Sequence, residues 1–276
     1  MIVSLKSVLD LAESKKIAIG AFNVTSMEGI EAVLQAAEEL NQPVILQFAP
    51  VHEQYIKLEI LGPVMVLMAE KANIPVCVHL DHCDDFNMIR DALEMGFSSV
   101  MYDGSMLPFN ENMANTKLVV ELAGKYDASV EAEIGSINSE DGSAGDTCYT
   151  NPDEAEVFVK NTNIDALACS FGTVHGLYRA EPKLDFERIS NIREKTGVPV
   201  VMHGGSGVSE KDFRMCIDRG VRKINYYTYC SKAGGEYVKE QCMKTDGPVF
   251  FHDVSCWARE AMKKDIKNAI EIFSKS

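Results

Sequence analysis

The sequence predicts a single-domain (β/α)8 barrel, and three features indicate this fold. Short apolar runs alternate with amphipathic segments along the whole chain, giving eight strand–helix pairs. The runs are hydrophobic at most positions rather than at alternate ones, which is typical of parallel strands covered on both faces. The 276 residues show no internal boundary or repeat, and barrels of this length commonly form one domain. A doubly wound open sheet is the alternative architecture.

The predicted elements follow one another in a regular order. Strands are expected at 17–22, 43–48, 75–79, 98–102, 128–134, 166–170, 199–202 and 221–225. Helices are expected at 27–40, 52–72, 86–95, 112–125, 152–160, 186–195 and 209–219, with a helical C-terminal extension at 232–273. Residues around 136–148 are rich in Gly, Ser, Asn and Asp without an apolar period, and we predict a mobile active-site loop there.

Composition excludes several classes of partner. The formal net charge is −14, which argues against nucleic acid and against anionic membranes, because both require a basic surface. No run approaches the ~18 apolar residues of a membrane span, and residues 1–16 lack the apolar core of a signal peptide. The eight cysteines show no metal-finger spacing and are expected to be reduced thiols. We therefore expect a cytoplasmic protein.

We predict that His82, His175 and His203 bind one catalytic zinc ion. Each follows a predicted strand, and barrel enzymes carry their chemistry at the C-terminal ends of the strands. Three protein ligands with an open fourth position are the arrangement of catalytic zinc. His79 lies inside its strand and is expected to be a core histidine bonded to a neighbour. His52 has no such context and is expected to be structural or exposed.

Three carboxylates are predicted to lie beside these imidazoles. Asp81 directly precedes His82, so it can serve as a general acid or base next to the metal; the alternative is that it orients an imidazole. Asp103 and Glu133 also fall at strand ends. Either they orient the histidines, or they provide an alternate or second metal position, and the sequence leaves both interpretations open.

The run Gly204-Gly205-Ser206-Gly207 predicts a phosphate site. It opens a helix, where backbone N–H groups and the helix dipole favour anions. The turn adjoins His203 and is expected to lie near residues 223–225, and the last two βα loops of barrels often bind phosphate. Nucleotide fingerprints are absent. A metal beside a phosphate site suits aldol cleavage or isomerisation of a sugar phosphate.

These residues belong to longer motifs that are specific in combination. The motifs are Gly20-Ala21-Phe22-Asn23, His79-Leu80-Asp81-His82-Cys83, Tyr102-Asp103-Gly104-Ser105, Glu131-Ala132-Glu133-Ile134-Gly135, Phe171-Gly172-Thr173-Val174-His175-Gly176, His203-Gly204-Gly205-Ser206-Gly207 and Lys223-Ile224-Asn225. Through them the chain resembles, over nearly its full length, the class II zinc-dependent ketose-bisphosphate aldolases, which act on fructose or tagatose bisphosphate.

The resemblance implies a reversible cleavage of a ketose phosphate to dihydroxyacetone phosphate and an aldehyde. Asp81 would be the proton donor, and Glu140 or Asp141 in the loop would move the substrate proton. The residues implied to bind substrate are Asn23, Gly176, Gly204, Gly205, Ser206, Asn225 and Thr228. The resemblance further implies a homodimer or homotetramer and a monovalent cation near the phosphate.

The chain departs from that family where the second half of the substrate would bind. Members usually carry Asn-x-Asp-Thr-Asp-x-Arg after the last strand, whereas residues 225–231 are Asn-Tyr-Tyr-Thr-Tyr-Cys-Ser. Tyr227 stands at an aspartate position, and Ser231 replaces the arginine that binds the distal phosphate, a charge-assisted pairing that serine cannot replace. The usual Gly-Gly of the loop is Asn138-Ser139. We expect an aldehyde half that lacks a phosphate or carries a different polar end group.

Two other functions are considered. A zinc hydrolase barrel typically uses a His-x-His pair or a bridging lysine, and His79 and His82 are wrongly spaced for that pair. A non-catalytic sugar-phosphate binder would have no need of a proton donor such as Asp81. Both alternatives are therefore less consistent with the sequence than an aldolase.

Overall fold

The computed structural model describes residues 1–135, 149–176 and 182–275, and within them the chain forms a closed barrel of parallel strands. The strands pair in sequence order, and the last pairs with the first. They are β1 (Ile19–Asn23), β2 (Val44–Phe48), β3 (Val76–Cys83), β4 (Ser99–Tyr102), β5 (Ser129–Ile134), β6 (Ala166–Cys169), β7 (Val200–Met202) and β8 (Val221–Tyr226). The predicted (β/α)8 barrel is confirmed, and the open sheet is excluded.

Helices surround the barrel and precede and follow it. They are α1 (Leu5–Lys15), α2 (Met27–Leu40), α3 (Leu58–Lys71), α4 (Phe86–Glu94), α5 (Phe109–Ala123), α6 (Pro152–Thr162), α7 (Phe186–Thr196), α8 (Glu210–Asp218), α9 (Thr228–Lys244) and α10 (Phe251–Ser274). None of the helices in the described ranges is long and apolar enough to cross a membrane. The predicted loop at 136–148 lies outside the described residues.

The helices differ from the sequence-based expectation in three places. Helix α1 was not among the expected helices; it begins after the N-cap Ser4 and buries residues at helical spacing. The expected helix 52–72 is a 3-10 turn, Pro50–Gln54, followed by α3. The expected helix 232–273 is two helices, because the segment between α9 and α10 contains Gly247 with φ 108° and then Pro248, which interrupt helical hydrogen bonding.

The barrel has two hydrophobic cores. The larger core lies between the strands and the surrounding helices. The smaller one fills the barrel interior, where strand residues such as Ile19, Ile45, Cys77 and Val201 pack against the buried face of α1. Helix α1 therefore closes the N-terminal end of the barrel, which leaves the C-terminal end as the open one.

Alternation along the strands places the polar residues. Successive side chains of a strand point to opposite faces. In each strand, every second residue counted from a member of the interior core therefore also faces the barrel axis. In β1 this series ends at Asn23, in β2 at Gln47 and in β3 at Asp81. The interior thus changes from apolar beside α1 to polar and charged at the C-terminal end, where the predicted site residues gather.

A cluster of ion pairs around Glu13 links α1 to residues of the barrel. The Glu13 carboxylate accepts hydrogen bonds from Lys16 and from Arg222 Nε, the latter at 2.7 Å, and lies 3.3 Å from Arg193. Burial opposes ionisation of Glu13, but Lys16 and Arg222 outweigh it and lower its pKa from 4.5 to about 2. Since Arg222 is buried, it has few alternative partners.

We expect Glu13→Gln to lower the free energy of unfolding at pH 7 by about 1 kcal/mol, a modest value because partial exposure screens the charges. A carboxylate whose pKa is depressed by folding stabilises above its unfolded pKa and loses that effect as pH falls. The difference from wild type should therefore shrink between pH 4.5 and pH 2. Denaturant titrations at pH 7 and pH 3 measure it. Glu240→Gln, in an exposed pair with Lys244, is the control, and a pH-independent difference for Glu13→Gln would contradict the assignment.

Candidate active site

A cavity of about 450 Å³ opens at the C-terminal ends of the strands. The side chains and backbone that line it include most residues predicted to form a site. These are Asn23, Asp81, His82, Asp103, Glu133, His175, Gly176, Gly204, Gly205, Ser206, Asn225 and Thr228. The fold therefore brings together residues from four strands (β1, β3, β5 and β8), from the segments that follow β4, β6 and β7, and from the start of α9.

The three imidazoles predicted to bind zinc lie together beside this cavity. Ligand atoms of His82, His175 and His203 all lie within 4.8 Å of one another. Nε2 of His82 is 2.7 Å from Nδ1 of His203, so these two nitrogens face the same point. The arrangement is one that can bind a metal ion; the identity of each residue as a ligand remains a prediction.

His82 reaches the cavity through an irregularity in β3. A regular strand cannot direct both Asp81 and His82 to the barrel axis, because adjacent side chains alternate. Here the β3–β4 register shifts between Leu80 and Cys83, and His82 has φ 48°. A left-handed conformation costs a non-glycine residue about 1–2 kcal/mol, a cost that the structure accepts to place two functional groups side by side.

Asp103 fixes the orientation of the His82 ring. Nδ1 of His82 is 2.7 Å from Oδ2 of Asp103, while the other carboxylate oxygen accepts hydrogen bonds from the backbone N–H and hydroxyl of Ser105. Protonation of Nδ1 in this contact leaves Nε2 free to bind a metal ion. His82, Asp103 and Glu133 also lie within 4.8 Å of one another, so the alternative of a second metal position stays open.

A buried charge network fixes His203. Its Nε2 is 2.9 Å from Oε1 of Glu131, and the other oxygen of Glu131 is 2.9 Å from Nζ of Lys223. All three side chains are fully buried. Burial opposes ionisation of Glu131, but the charge of Lys223 and the hydrogen bond from His203 outweigh it and lower its pKa to about 2. An ionised Glu131 accepts a hydrogen bond from the Nε2–H of His203, which leaves Nδ1 of His203 facing His82.

The same network explains His79 and Lys223. His79 is buried, with Nδ1 2.9 Å from the Ser99 hydroxyl, and is a core histidine as expected. The glycine turn lies near residues 223–225 as expected, since the backbone N–H of Gly205 donates a hydrogen bond to the carbonyl oxygen of Asn225. The Lys223 side chain lies inside the barrel beneath Asp81 and Glu131, because residue 223 falls on the inward-facing positions of β8.

Two buried atoms near the imidazoles have no hydrogen-bond partner among the described residues. They are Nε2 of His175 and Oε2 of Glu133, the latter 3.6 Å from Nδ1 of His203. Burial, reinforced by the charge of Asp103, raises the pKa of Glu133 well above its usual range. Unpaired buried groups cost about 1–3 kcal/mol each, and a bound cation would satisfy both. The donor set therefore fits a metal ion.

Asp81 is held by three amide side chains. Oδ2 accepts hydrogen bonds from Asn23 and Gln47, and Oδ1 accepts one from Asn225, at 3.0–3.1 Å. Burial opposes ionisation, but the positive charges of His82 and Lys223 outweigh it and lower the pKa of Asp81. A fixed carboxylate next to a metal position can exchange a proton with a bound substrate.

The glycine turn and the start of α9 form one wall of the cavity. Gly204 has φ 66°, and a Cβ there would lie 2.2 Å from the carbonyl oxygen of Val174, so only glycine fits. The Ser206 hydroxyl accepts hydrogen bonds from the backbone N–H groups of Tyr227 and Tyr229. The turn is thereby docked on the N-terminus of α9, whose dipole favours an anion.

No lysine or arginine among the residues that the structure describes lines the cavity. Tyr227 lines it, whereas Ser231 is on the exposed side of α9 and does not. Nζ of Lys232 lies 6.0 Å from the centre of the Tyr229 ring, outside the cavity. The loop residues Glu140 and Asp141, predicted to move a substrate proton, lie outside the described residues.

Sequence reasoning missed four residues of this site. Gln47, Glu131 and Lys223 support Asp81 and His203, and a charged or amide residue inside an otherwise apolar strand is the signal that could have identified them. His52 was expected to be structural or exposed; it is buried, but it also lines the cavity. No local sequence pattern could have revealed His52, because the 3-10 turn brings it over the barrel end.

The fold and this cavity define a barrel enzyme with a candidate metal centre beside an anion site. Residues 3–276 match the family described as fructose-bisphosphate aldolase class-II. A fructose-bisphosphate aldolase of Staphylococcus aureus strain Mu50 is 38% identical over 283 residues, which cover 100% of this chain and 98% of that one.

Solved structures of aldolases have the same fold as this chain. The crystal structure of the YdjI aldolase from Escherichia coli K12 has a TM-score of 0.89 at 35% identity, covering 99% of this chain and 97% of that one. A putative fructose-1,6-bisphosphate aldolase from Coccidioides immitis has a TM-score of 0.86 at 30% identity, covering 98% and 95%. The chain belongs to the class II fructose-bisphosphate aldolase family, and it is therefore an aldolase, a carbon–carbon lyase. This assignment excludes the hydrolase and the non-catalytic binder.

Replacing Asp103 tests how His82 is oriented. We expect Asp103→Asn to weaken metal binding about 10- to 100-fold, because the neutral amide holds the His82 ring less firmly. Competition with a chromophoric chelator measures the affinity, and thermal unfolding checks the fold. Asp84→Asn, at an exposed position near the end of β3, removes the same charge and should change little. An unchanged affinity would contradict the role, and loss of a second bound ion would show that Asp103 itself binds metal.

Proposed function

We propose that this aldolase depends on zinc and reversibly cleaves a ketose 1-phosphate to dihydroxyacetone phosphate and an aldehyde without a terminal phosphate. The observation that carries the proposal is the set of groups that one cavity brings together. The glycine turn, the three imidazoles and Asp81 all line this cavity, and no lysine or arginine of the described residues lines it.

Zinc is proposed as the metal because three imidazoles with buried carboxylates nearby match its preferred ligands. His82, His175 and His203 would hold it, with Asp103 and Glu133 as orienting partners or as an alternate position. Bound zinc would polarise the substrate ketone and stabilise the negative charge that develops as the bond breaks.

The phosphate of the substrate would bind at the glycine turn. Gly204, Gly205 and Ser206 lie beside the N-terminus of α9, where Thr228 is the first residue, and Gly176 also lines the cavity. Asn23 and Asn225 line the cavity and donate hydrogen bonds to Asp81. Fixing the phosphate there would direct the ketone towards the imidazoles and the hydroxyl to be deprotonated towards Asp81. A monovalent cation near this phosphate is part of the proposal.

Asp81 would move the proton that cleavage requires. In the cleavage direction it takes the proton of the hydroxyl next to the bond being broken, and the bonding electrons remain on the dihydroxyacetone phosphate half. In the synthetic direction it returns that proton to the new alkoxide. Its three amide donors suit this role because they hold the ionised carboxylate still. Glu140 or Asp141 would protonate the carbon of the dihydroxyacetone phosphate half.

The name of the Staphylococcus aureus relative points to a bisphosphate substrate, but the residues at the start of α9 and the charge of the cavity lining favour a different one. Tyr227 and Ser231 replace an aspartate and an arginine of the family pattern, and the carboxylates Asp81, Asp103 and Glu133 make the described lining acidic. A second phosphate dianion would meet charge repulsion without a compensating arginine. We further propose a homodimer or homotetramer, as the family resemblance implies.

The zinc-loaded protein should release dihydroxyacetone phosphate from ketose 1-phosphates faster than from ketose 1,6-bisphosphates. A coupled assay over a panel of both measures this, with a chelator expected to abolish release and added zinc to restore it. Asp81→Asn should lose at least about 10²-fold in kcat while still binding dihydroxyacetone phosphate. Preference for a bisphosphate would overturn the substrate proposal, and release that survives the chelator would overturn zinc dependence.

Restoring the family residues should restore a distal phosphate site. We expect Tyr227→Asp combined with Ser231→Arg to raise kcat/KM for a ketose 1,6-bisphosphate about tenfold or more relative to the corresponding monophosphate, since arginine supplies a bidentate charged contact. The single variant Lys232→Arg, outside the cavity, is the control for added guanidinium charge. Bisphosphate cleavage that is unimproved by the double variant would show that these two positions do not set the preference.

A further inference from the structure

The rings of His52 and Tyr227 pack against each other in the lining of the cavity. His52 lies in the 3-10 turn after β2, and Tyr227 immediately precedes α9, so the pair joins two loops on neighbouring sides of the barrel. Their ring centroids are 4.7 Å apart with an interplanar angle of 46°. Phe48 contacts His52 edge-on from within the barrel wall. These contacts hold the His52 ring in one position against the cavity.

The His52 imidazole is buried but makes no hydrogen bond in the part of the chain that is described. The residue is 6% exposed, and Nδ1 is buried without a partner. The two fully buried histidines of the site each have a hydrogen-bond contact at one ring nitrogen, Nδ1 of His79 with Ser99 and Nε2 of His203 with Glu131. A polar group left unpaired by the protein costs about 1–3 kcal/mol, so an unpaired ring that lines a substrate cavity is a binding group for a ligand.

The chemistry of this pair selects neutral hydroxyl groups. Burial lowers the pKa of His52, with a smaller opposing effect from Asp81, so the ring is neutral near pH 7. A neutral tautomer with the proton on Nε2 avoids an unpaired buried N–H at Nδ1 and leaves Nε2 as the donor. The Tyr227 hydroxyl also has no partner among the described residues and can donate or accept. Neither group supplies the positive charge that a phosphate or carboxylate would need.

The mouth next to the pair is apolar. Val51, adjacent to His52, is 67% exposed, and Met106 on the β4 side is 84% exposed; both line the cavity. Aromatic and aliphatic surfaces pack against the C–H faces of an extended sugar chain while polar groups bind its hydroxyls. The combination matches a hydroxylated carbon chain better than a small charged end group.

Resting on the aldolase activity proposed above, we propose that His52 and Tyr227 form the subsite for the far end of the aldehyde and make the enzyme select a neutral polyhydroxy aldehyde. The His52 imidazole hydrogen-bonds a chain hydroxyl, and the Tyr227 ring and hydroxyl support the same segment. The pair thus determines specificity; the bond-breaking groups are those around Asp81.

The experiment separates the two substrate halves. Zinc-loaded protein is assayed for condensation of dihydroxyacetone phosphate with glycolaldehyde, glyceraldehyde, erythrose and glyceraldehyde 3-phosphate. Exchange of the dihydroxyacetone phosphate C–H proton with D2O, followed by NMR without any aldehyde, reports the other half alone. The variants are His52→Phe, which keeps a packed ring, His52→Gln, which restores a side-chain donor, and Tyr227→Phe, which removes only the hydroxyl. Tyr55→Phe, on the outer side of His52 and not lining the cavity, is the matched control.

We expect wild type to prefer erythrose to glyceraldehyde 3-phosphate in kcat/KM. His52→Phe should lower kcat/KM for erythrose about tenfold, the value of about one neutral hydrogen bond, with little change for glycolaldehyde, which is too short to reach the pair. Tyr227→Phe should show a smaller loss with the same dependence on length, and His52→Gln should recover part of the activity. The exchange reaction should depend on none of these substitutions.

Three results would overturn the inference. Equal losses for every aldehyde and for exchange would show that His52 supports the fold or the metal centre rather than selecting substrate. Losses confined to glyceraldehyde 3-phosphate, or a wild-type preference for it, would show that the subsite takes a charged group. If wild type exchanged no proton and condensed no aldehyde, the proposed function itself would fail, and the inference with it. Should His52→Phe fail to fold, Tyr227→Phe and the wild-type aldehyde series decide.

Discussion

Glu131, fully buried at the barrel axis, is the residue on which the arrangement of the site depends. Its two carboxylate oxygens contact Lys223 from β8 and His203 from β7. Removing either partner would leave a buried charge uncompensated, which is far more costly than losing a surface pair. The network therefore fixes the relative positions of three strands and the orientation of His203 together. This network forms the base of the cavity, and its position is set by the strands and does not depend on any loop.

The other groups of the site, Asp81 and His82, are positioned above this network. Asp81 lies above Lys223 and is held in place by amides from β1, β2 and β8, so its position is set by strand pairing as much as by its own contacts. His82 then requires a local break in the strand, with φ 48°, to share the cavity with its neighbour. Local strain at a functional residue is tolerated because the surrounding strands determine the backbone on both sides.

Under the proposed function, two parts of the cavity would recognise the substrate in different ways. At the turn of residues 204–206, the backbone and the α9 dipole would bind a phosphate whatever the rest of the substrate is. At His52 and Tyr227, recognition would come from side chains, which can vary while the barrel stays the same. Such a division would let one fold with a constant reaction accept different aldehydes. The acidic net charge of the chain, −14, makes such local anion recognition necessary, because the overall field opposes an anionic ligand.

The sequence by itself determined the barrel and the place of its chemistry. Apolar runs and caps marked each of the eight strands and most helices, and the histidines and carboxylates that follow the strands had to meet at one rim, because parallel strands all end there. Only the tertiary structure decided which of these groups contact one another. Gln47, Glu131 and Lys223 are distant from Asp81 and His203 along the chain, and their pairing depends on strand register. The role of His52 depends on a turn that folds over the barrel end, and the start of α9 at Thr228 depends on docking against Ser206. Local patterns specify elements because helix and strand periods are short-range, whereas contacts across a closed barrel depend on how all the elements pack together.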